Sequence, residues 1–110
     1  MVSVYYITFH IGKLMNNSNF DTLIHAPNRL QICALLAPFK RVEFRVLGKE
    51  LGVSDSVLSK HIKMLEDVGY TKQTKSKVNG RERRWFHLTG KGRMAFDLHV
   101  KELKRILGEF

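Results

Sequence analysis

Gly52 constrains this chain more than any other single position. It falls between two stretches with helical periodicity. Only a residue without a Cβ readily takes the positive φ that ends one helix and turns the chain into the next. Upstream, Phe44, Leu47 and Leu51 recur at i, i+3 and i+7 and so share one helical face. Downstream, Leu58, Ile62 and Leu65 recur at i, i+4 and i+7, and Gly69 closes the run. Ser54 stands where the second helix needs an N-cap, its hydroxyl able to accept from a free backbone N–H.

The spacing of Gly48, Gly52 and Leu58 is that of a helix-turn-helix. A small residue lets the helices cross closely, a glycine makes the turn, and an apolar residue pins the second helix to the first. With Leu58, Ile62 and Leu65 inward, helical geometry points Asp55, Ser56, Ser59, Lys60 and Lys63 outward. Such short polar and basic groups can approach a duplex without clashing. A solvated helix face looks the same, so this face alone does not decide between them.

Charge does bear on the choice. In 110 residues, 19 Lys+Arg against 10 Asp+Glu leave a net charge of +9 and a pI near 10.0. That excess favours an anionic partner, nucleic acid first and a membrane surface second. No apolar run reaches transmembrane length. A chain this short forms one domain with a modest core and cannot enclose a large active site. Cys33 is the one cysteine, which rules out an internal disulfide, and its apolar neighbours (LQICALLA) predict a buried thiol. A reducing, cytoplasmic setting suits it.

Residues 1–19 read as an N-terminal arm, ahead of a domain spanning 20–110. Val4, Tyr6 and Thr8 alternate with Tyr5, Ile7 and Phe9, the pattern of a strand or an apolar arm. The polar run from Met15 to Asn19 breaks it, and Met15 offers an alternative start. The basic opening and small-residue cleavage site of a signal peptide are missing. Phe20, Leu23 and Ile24 predict a short helix, broken at His25-Ala26-Pro27. Pro27 suits the first turn of the next helix, where its missing N–H is not needed. Leu30, Cys33 and Leu36 form one face of that helix, and Pro38 closes it. Arg41-Val42-Glu43 is a brief link or a single short strand.

After Gly69 the period becomes two. Residues 70–77 alternate, Asn79-Gly80 supplies the strongest short hairpin signal, and residues 83–88 alternate again. Arg84, Phe86 and Leu88 fall on one side of that strand, Arg83, Trp85 and His87 on the other. From residue 72 to residue 84 there are six basic residues and one acid, so net +5 of the chain's +9 sits on this hairpin. Lysines on an edge hairpin also deter sheet aggregation. That accounts for scattered lysines better than for arginines packed around a turn. Lys77, Arg81, Arg83 and Arg84 are therefore expected to meet phosphate.

Thr89 caps a last helix with an apolar stripe of Met94, Phe96, Val100, Leu103, Leu107 and Phe110. From Phe96 onward the spacings alternate four and three, a heptad-like seam. A second subunit related by two-fold symmetry is the expected cover for Phe96, Val100, Leu103, Leu107 and Phe110. Packing on the helix near Phe20 or on the N-terminal arm is the alternative.

Together these residues resemble the winged helix-turn-helix regulators of the MarR and ArsR groups. The run Ser59-Lys60-His61-Ile62-Lys63-Met64-Leu65-Glu66-Asp67-Val68-Gly69-Tyr70 is similar to the arsenic-repressor signature Ser-x-His-Leu-x-x-Leu-x-x-Ala-Gly-Leu. Leu88-Thr89-Gly90-Lys91-Gly92-Arg93 is similar to the Leu-Thr-x-x-Gly stretch after the wing in the antibiotic-resistance group. The resemblance covers residues 20 to about 107. It implies a mainly α fold with a small β-hairpin wing, acting as a homodimer on double-stranded DNA. A recognition helix at about 54–69 would enter the major groove, and a wing at about 70–88 would lie on the backbone or in the minor groove. It implies repression as the commoner mode and leaves open a small-molecule effector.

There are departures. The arsenic-repressor metal site uses cysteines in the first helix of the motif, and residues 42–51 contain none, so no metal or other cofactor is expected. Asp97, His99 and Glu102 resemble part of a zinc site built from terminal helices, but lacking its further histidines they are expected to be surface residues. His61, set against Leu58 and Val57, is expected to pack in the helix-turn-helix core with one nitrogen satisfied. Asp55 offsets the helix dipole yet repels phosphate, which makes a cytosine amine its natural partner. Catalytic assemblies are missing: there is no glycine-rich phosphate loop, HExxH, nucleophile elbow or carboxylate pair in an apolar setting. The rival to a regulator is therefore another binding class, a non-specific architectural DNA- or RNA-binding or protein-docking winged helix.

Overall fold

A computed structural model of the protein describes residues 20–108. The alternating arm at 1–19 and the last seam position, Phe110, lie outside them. In chain order the elements are α1 (Thr22–His25), α2 (Pro27–Leu36), β1 (Val42–Glu43), α3 (Phe44–Leu51), α4 (Asp55–Asp67), β2 (Thr71–Val78), β3 (Arg81–Leu88) and α5 (Gly90–Leu107). The strands form one antiparallel sheet in the order β1-β3-β2.

The local signals act where the sequence puts them. Gly52 ends α3 at φ +66, its N–H bonded to the Gly48 carbonyl at 2.9 Å. Ser54 caps α4 by accepting from the Val57 N–H. Gly48 lies within reach of Leu58, to which an added Cβ would come within 3.5 Å. Asn79 and Gly80 both take positive φ, 53 and 78. That pair of signs is what a two-residue hairpin needs to follow the twist of its strands.

One core joins these elements. Leu47 of α3, Leu58, Ile62 and Leu65 of α4, Ile32, Cys33 and Leu36 of α2, Ile24 of α1 and Phe86 and Leu88 of β3 are all buried together. Each such side chain contributes ~1.5–3 kcal/mol relative to exposure, and the recognition-helix candidate supplies three of them. Burial drives the Cys33 thiol up to about 12, with the Asp21 charge adding to it, so the thiol stays protonated and inert.

The last helix departs from expectation. Its buried positions are Gly92, His99 and Glu102, while Met94 is 67% exposed and Leu107 66%. Phe96, Val100 and Leu103 are half-buried. The apolar stripe therefore turns only partly toward its own domain, and a narrow polar face points inward. His99, expected on the surface, is fully buried. The reason is that α1 folds against it. The Asp21 N–H donates to Nδ1 at 3.0 Å, the His25 ring meets Nε2 at 3.2 Å, and Phe20 packs edge-on at 4.9 Å between ring centres. Glu102 is buried as well, its carboxylate taken by Arg105 one turn on.

Gly92 explains why α5 begins where it does. A Cβ there would fall 2.0 Å from the Tyr70 carbonyl oxygen. The Thr89 N–H bonds that same oxygen at 3.0 Å, and the Thr89 hydroxyl caps the helix by accepting from the Gly92 N–H. The Thr-x-x-Gly stretch is thus a cap followed by a gap for backbone.

Candidate nucleic-acid interface

The outward face of α4 stands clear. Asp55, Ser56, Lys60 and Lys63 are exposed and Ser59 is half-buried. Lys63 meets Asp67 at 3.5 Å with both side chains mostly in solvent, a pair weak enough to give way to phosphate. Ser56 lies 3.3 Å from the capping Ser54 hydroxyl.

The orientation of α4 is set from behind. His61 is half-buried and does not sink into the helix-turn-helix core as expected. It bridges to the first turn of α2, with Nδ1 facing the Arg29 guanidinium at 3.2 Å and Nε2 facing the Asn28 amide at 3.3 Å. Arg29 can only donate, so Nδ1 is the accepting nitrogen and Nε2 carries the ring proton toward the Asn28 amide. Arg29 also reaches the Met64 sulfur at 3.2 Å and the Leu23 carbonyl. Burial, then the Arg29 and Lys60 charges, hold the His61 pKa below its usual 6.5. Sequence reading missed Arg29, because its partners lie 32 and 35 positions away and no local pattern links them.

The basic residues of the wing separate into two kinds. Lys77 and Arg81 flank the Asn79-Gly80 turn and are exposed. Lys75 is exposed too, paired with Glu82 at 3.6 Å. Arg83 and Arg84 are half-buried and engaged by other residues of the fold instead. Arg83 grips both Glu43 oxygens, at 3.2 and 3.1 Å, and its Nε is buried with no hydrogen-bond partner among the described residues. Arg84 lies 4.2 Å over the Phe44 ring and bonds Gln73 at 3.4 Å. The register explains the difference: Arg81 opposes Val78 beside the turn, whereas Arg83 and Arg84 oppose Ser76 and Lys75, nearer β1 and α3. Of the wing bases, Lys72, Lys75, Lys77 and Arg81 are thus exposed, while Arg83 and Arg84 are engaged by Glu43, Gln73 and Phe44.

Among the described residues no three His, Cys, Asp or Glu side chains lie close enough to hold a metal ion. His99 in particular has no free lone pair in this arrangement. Its Nδ1 accepts from a backbone N–H, so the ring proton sits on Nε2 and is donated to His25 Nδ1. No helix among them is long and apolar enough to cross a membrane.

A family model described as a winged helix DNA-binding domain matches residues 28–107. The chain belongs to that family. This winged helix protein is 35% identical over 78 residues, 71% of its length, to an uncharacterized protein of Methanocaldococcus jannaschii, of which the match covers 85%. Its fold is shared with a transcriptional regulator homologue from Pyrococcus horikoshii at a TM-score of 0.76 and 24% identity, over 90% of this chain and 94% of that one. The adhesin competence repressor of Streptococcus pyogenes superposes at 0.61 with 22% identity, over 94% and 72%. The helices and three-stranded sheet thus form a fold that this chain shares with proteins described as transcriptional regulators.

Proposed function

We propose that this winged helix protein is a homodimeric, sequence-specific regulator of transcription that binds double-stranded DNA and acts by repression. The observation that carries this reading is the pairing of two exposed surfaces. The polar face of α4, firmly held by Arg29 and the core, is accompanied by a wing that carries Lys77 and Arg81 beside its turn and Lys75 further down β2. Ser56, Ser59, Lys60 and Lys63 are of the size and type that contact base edges and adjacent phosphates, with Asp55 suited to a cytosine amine. The wing residues supply attraction that does not depend on sequence.

Dimerisation is supported by the last helix. Val100, Leu103 and Leu107 run along a face that the protein's own core covers only in part, and two-fold symmetry is the usual way to cover such a stripe. Repression is the mode favoured by the resemblance, and a small-molecule effector would act by shifting the angle between the two subunits.

Selection of bound sequences from a random duplex pool tests the reading directly. A recovered palindrome with half-sites about one helical turn apart is the expected result. The alternative, an architectural or non-specific binder, gives no consensus and little difference between selected and random DNA, where a regulator shows a preference of ~10³-fold or more.

A further inference from the structure

The apolar surface on the β1 side of the molecule has no part in the DNA reading. Phe39 is 56% exposed and Val46 is 45% exposed. With Trp85, Val42 and the stems of Arg41 and Glu43 they line a groove of about 260 Å³. Trp85 lines it and is pinned on two sides: Nε1 donates to Ser76 at 2.9 Å and the Arg41 guanidinium covers the ring at 4.2 Å. Large apolar side chains exposed side by side mark a binding surface more often than scattered ones do, and Trp, Phe and Arg are the residues on which protein interfaces concentrate their energy.

Charge identifies the occupant. The one acid lining the groove, Glu43, is already taken by Arg83, its side chain only 12% exposed. The surrounding bases have no acid partner in the groove, and Arg41 keeps its guanidinium edge exposed while stacked on Trp85. Arg41 lines the groove, Lys40 and Arg45 are exposed next to lining residues in the chain, and Lys49 is exposed one turn beyond Val46 on α3. An apolar floor with a basic border fits a chain that brings apolar side chains and carboxylates together. A duplex offers phosphates but no apolar side chain to fill the groove. A second copy of this protein is already assigned to the α5 face in the proposed dimer.

We propose that the groove between Phe39, Val46 and Trp85 docks an acidic amphipathic segment of a partner protein. The segment's apolar side chains lie on Trp85 between Phe39 and Val46, and its carboxylates meet Arg41, Lys40 and Lys49. Such a surface lets a DNA-bound regulator hold a second protein without surrendering its recognition helix.

The test is selection of peptides from a random library of roughly 16 residues, about four helical turns, on the immobilised full chain in excess random duplex DNA. Selected peptides are then titrated against the free protein. Trp85 is the one tryptophan in the chain, so its fluorescence reports the groove directly. The expected result is enrichment of sequences with Leu, Ile or Phe at helical spacing flanked by Asp and Glu, saturable change in Trp85 emission, and about tenfold weaker binding to Phe39→Ser/Val46→Ser. Arg41→Ala should weaken binding severalfold. Because Phe39 and Val46 are exposed, Phe39→Ser/Val46→Ser should melt with the parent, and its affinity for duplex DNA should stay within about twofold. No enrichment, or enriched peptides indifferent to these substitutions, overturns the proposal. So does an equal loss of DNA affinity in Phe39→Ser/Val46→Ser, which would make the groove part of the DNA surface.

Discussion

The Tyr70 hydroxyl donates to the Asp21 carboxylate across 2.7 Å, joining the foot of the wing, just past α4, to a residue 49 positions earlier. The other Asp21 oxygen caps α1 by accepting from the Ile24 N–H at 3.0 Å, and the Asp21 N–H reaches His99 of α5 at 3.0 Å. One short side chain and its own amide thus tie the first helix, the base of the wing and the last helix together. Burial first, then the bond to Asp21, pushes the Tyr70 hydroxyl up to about 12, so the donor persists at any pH the protein meets.

Asp21→Ala removes a helix cap and an acceptor in one step. The expected loss is ~1–3 kcal/mol, a cap being worth about 1 and an unsatisfied partner the rest. Asp21→Asn, which still caps and still accepts, should recover more than half. Urea denaturation of the two variants and Tyr70→Phe checks this. A loss below about 0.5 kcal/mol for Asp21→Ala would show that the three elements do not depend on the link.

Acid should loosen the same region. Burial, then the neighbouring His25, holds the His99 pKa below 6.5 against the opposing pull of Asp21 and Glu102. The unfolded chain then binds the extra proton first as pH falls below about 6.5, so stability drops through that window until the folded value is reached. Above about pH 7 the contribution is complete. Melting temperatures between roughly pH 7 and pH 5 should fall less steeply in His99→Gln, whose amide oxygen can still accept from Asp21. His61, lowered by burial and by Arg29 and Lys60, acts in the same direction. Parallel curves for wild type and His99→Gln would remove His99 as a source of the acid sensitivity.

In the wing, Lys77→Ala/Arg81→Ala should weaken binding to selected and random duplexes alike. The slope of log affinity against log salt should flatten by about one for each phosphate that the wing no longer neutralises. Arg83→Ala should do something different: it strands the mostly buried Glu43 carboxylate and lowers stability by ~1–3 kcal/mol. Salt titrations alongside denaturation separate the two roles. An unaltered slope in the first variant would take the wing tip out of the DNA interface.

Leu107→Asp is the cleanest probe of assembly. Leu107 is 66% exposed within one chain, so a charge there costs a monomer almost nothing. In a two-fold seam it places two carboxylates close together against apolar side chains, at a cost of several kcal/mol. Sedimentation at micromolar concentration should show the variant as a folded monomer with operator affinity abolished. A dimer that still binds tightly would locate the interface elsewhere.

Most of the fold was legible from local chemistry. Gly52, Ser54, Pro27, Thr89 and Asn79-Gly80 each act through backbone rules that depend only on their neighbours, and the helix faces follow from the spacing of apolar residues such as Leu58, Ile62 and Leu65. Two things were not legible in this way. His99 looked like a surface residue because its burial depends on α1, which meets it from 78 positions away. Arg83 and Arg84 looked like their neighbour Arg81 because composition does not record which cross-strand partners a side chain will find. Both failures are of tertiary pairing, whereas the outward placing of Asp55, Ser56, Lys60 and Lys63 on α4 was legible because a helix face is set by its own sequence.

The close approach of Gly92 to the Tyr70 carbonyl gives the hairpin two unequal ends. Tyr70 leads into β2 and Thr89 follows β3, so both feet of the wing and the first turn of α5 converge on one oxygen with no space for a methyl group. Gly92→Ala should accordingly cost ~3 kcal/mol or more, or prevent folding, as a melting curve would show. At the far end the Asn79-Gly80 turn is open, with nothing within 4 Å of a Cβ added at Gly80. Growth or shrinkage of the wing is therefore confined to its tip. A longer or shorter finger could be built there without disturbing the knuckle at Tyr70.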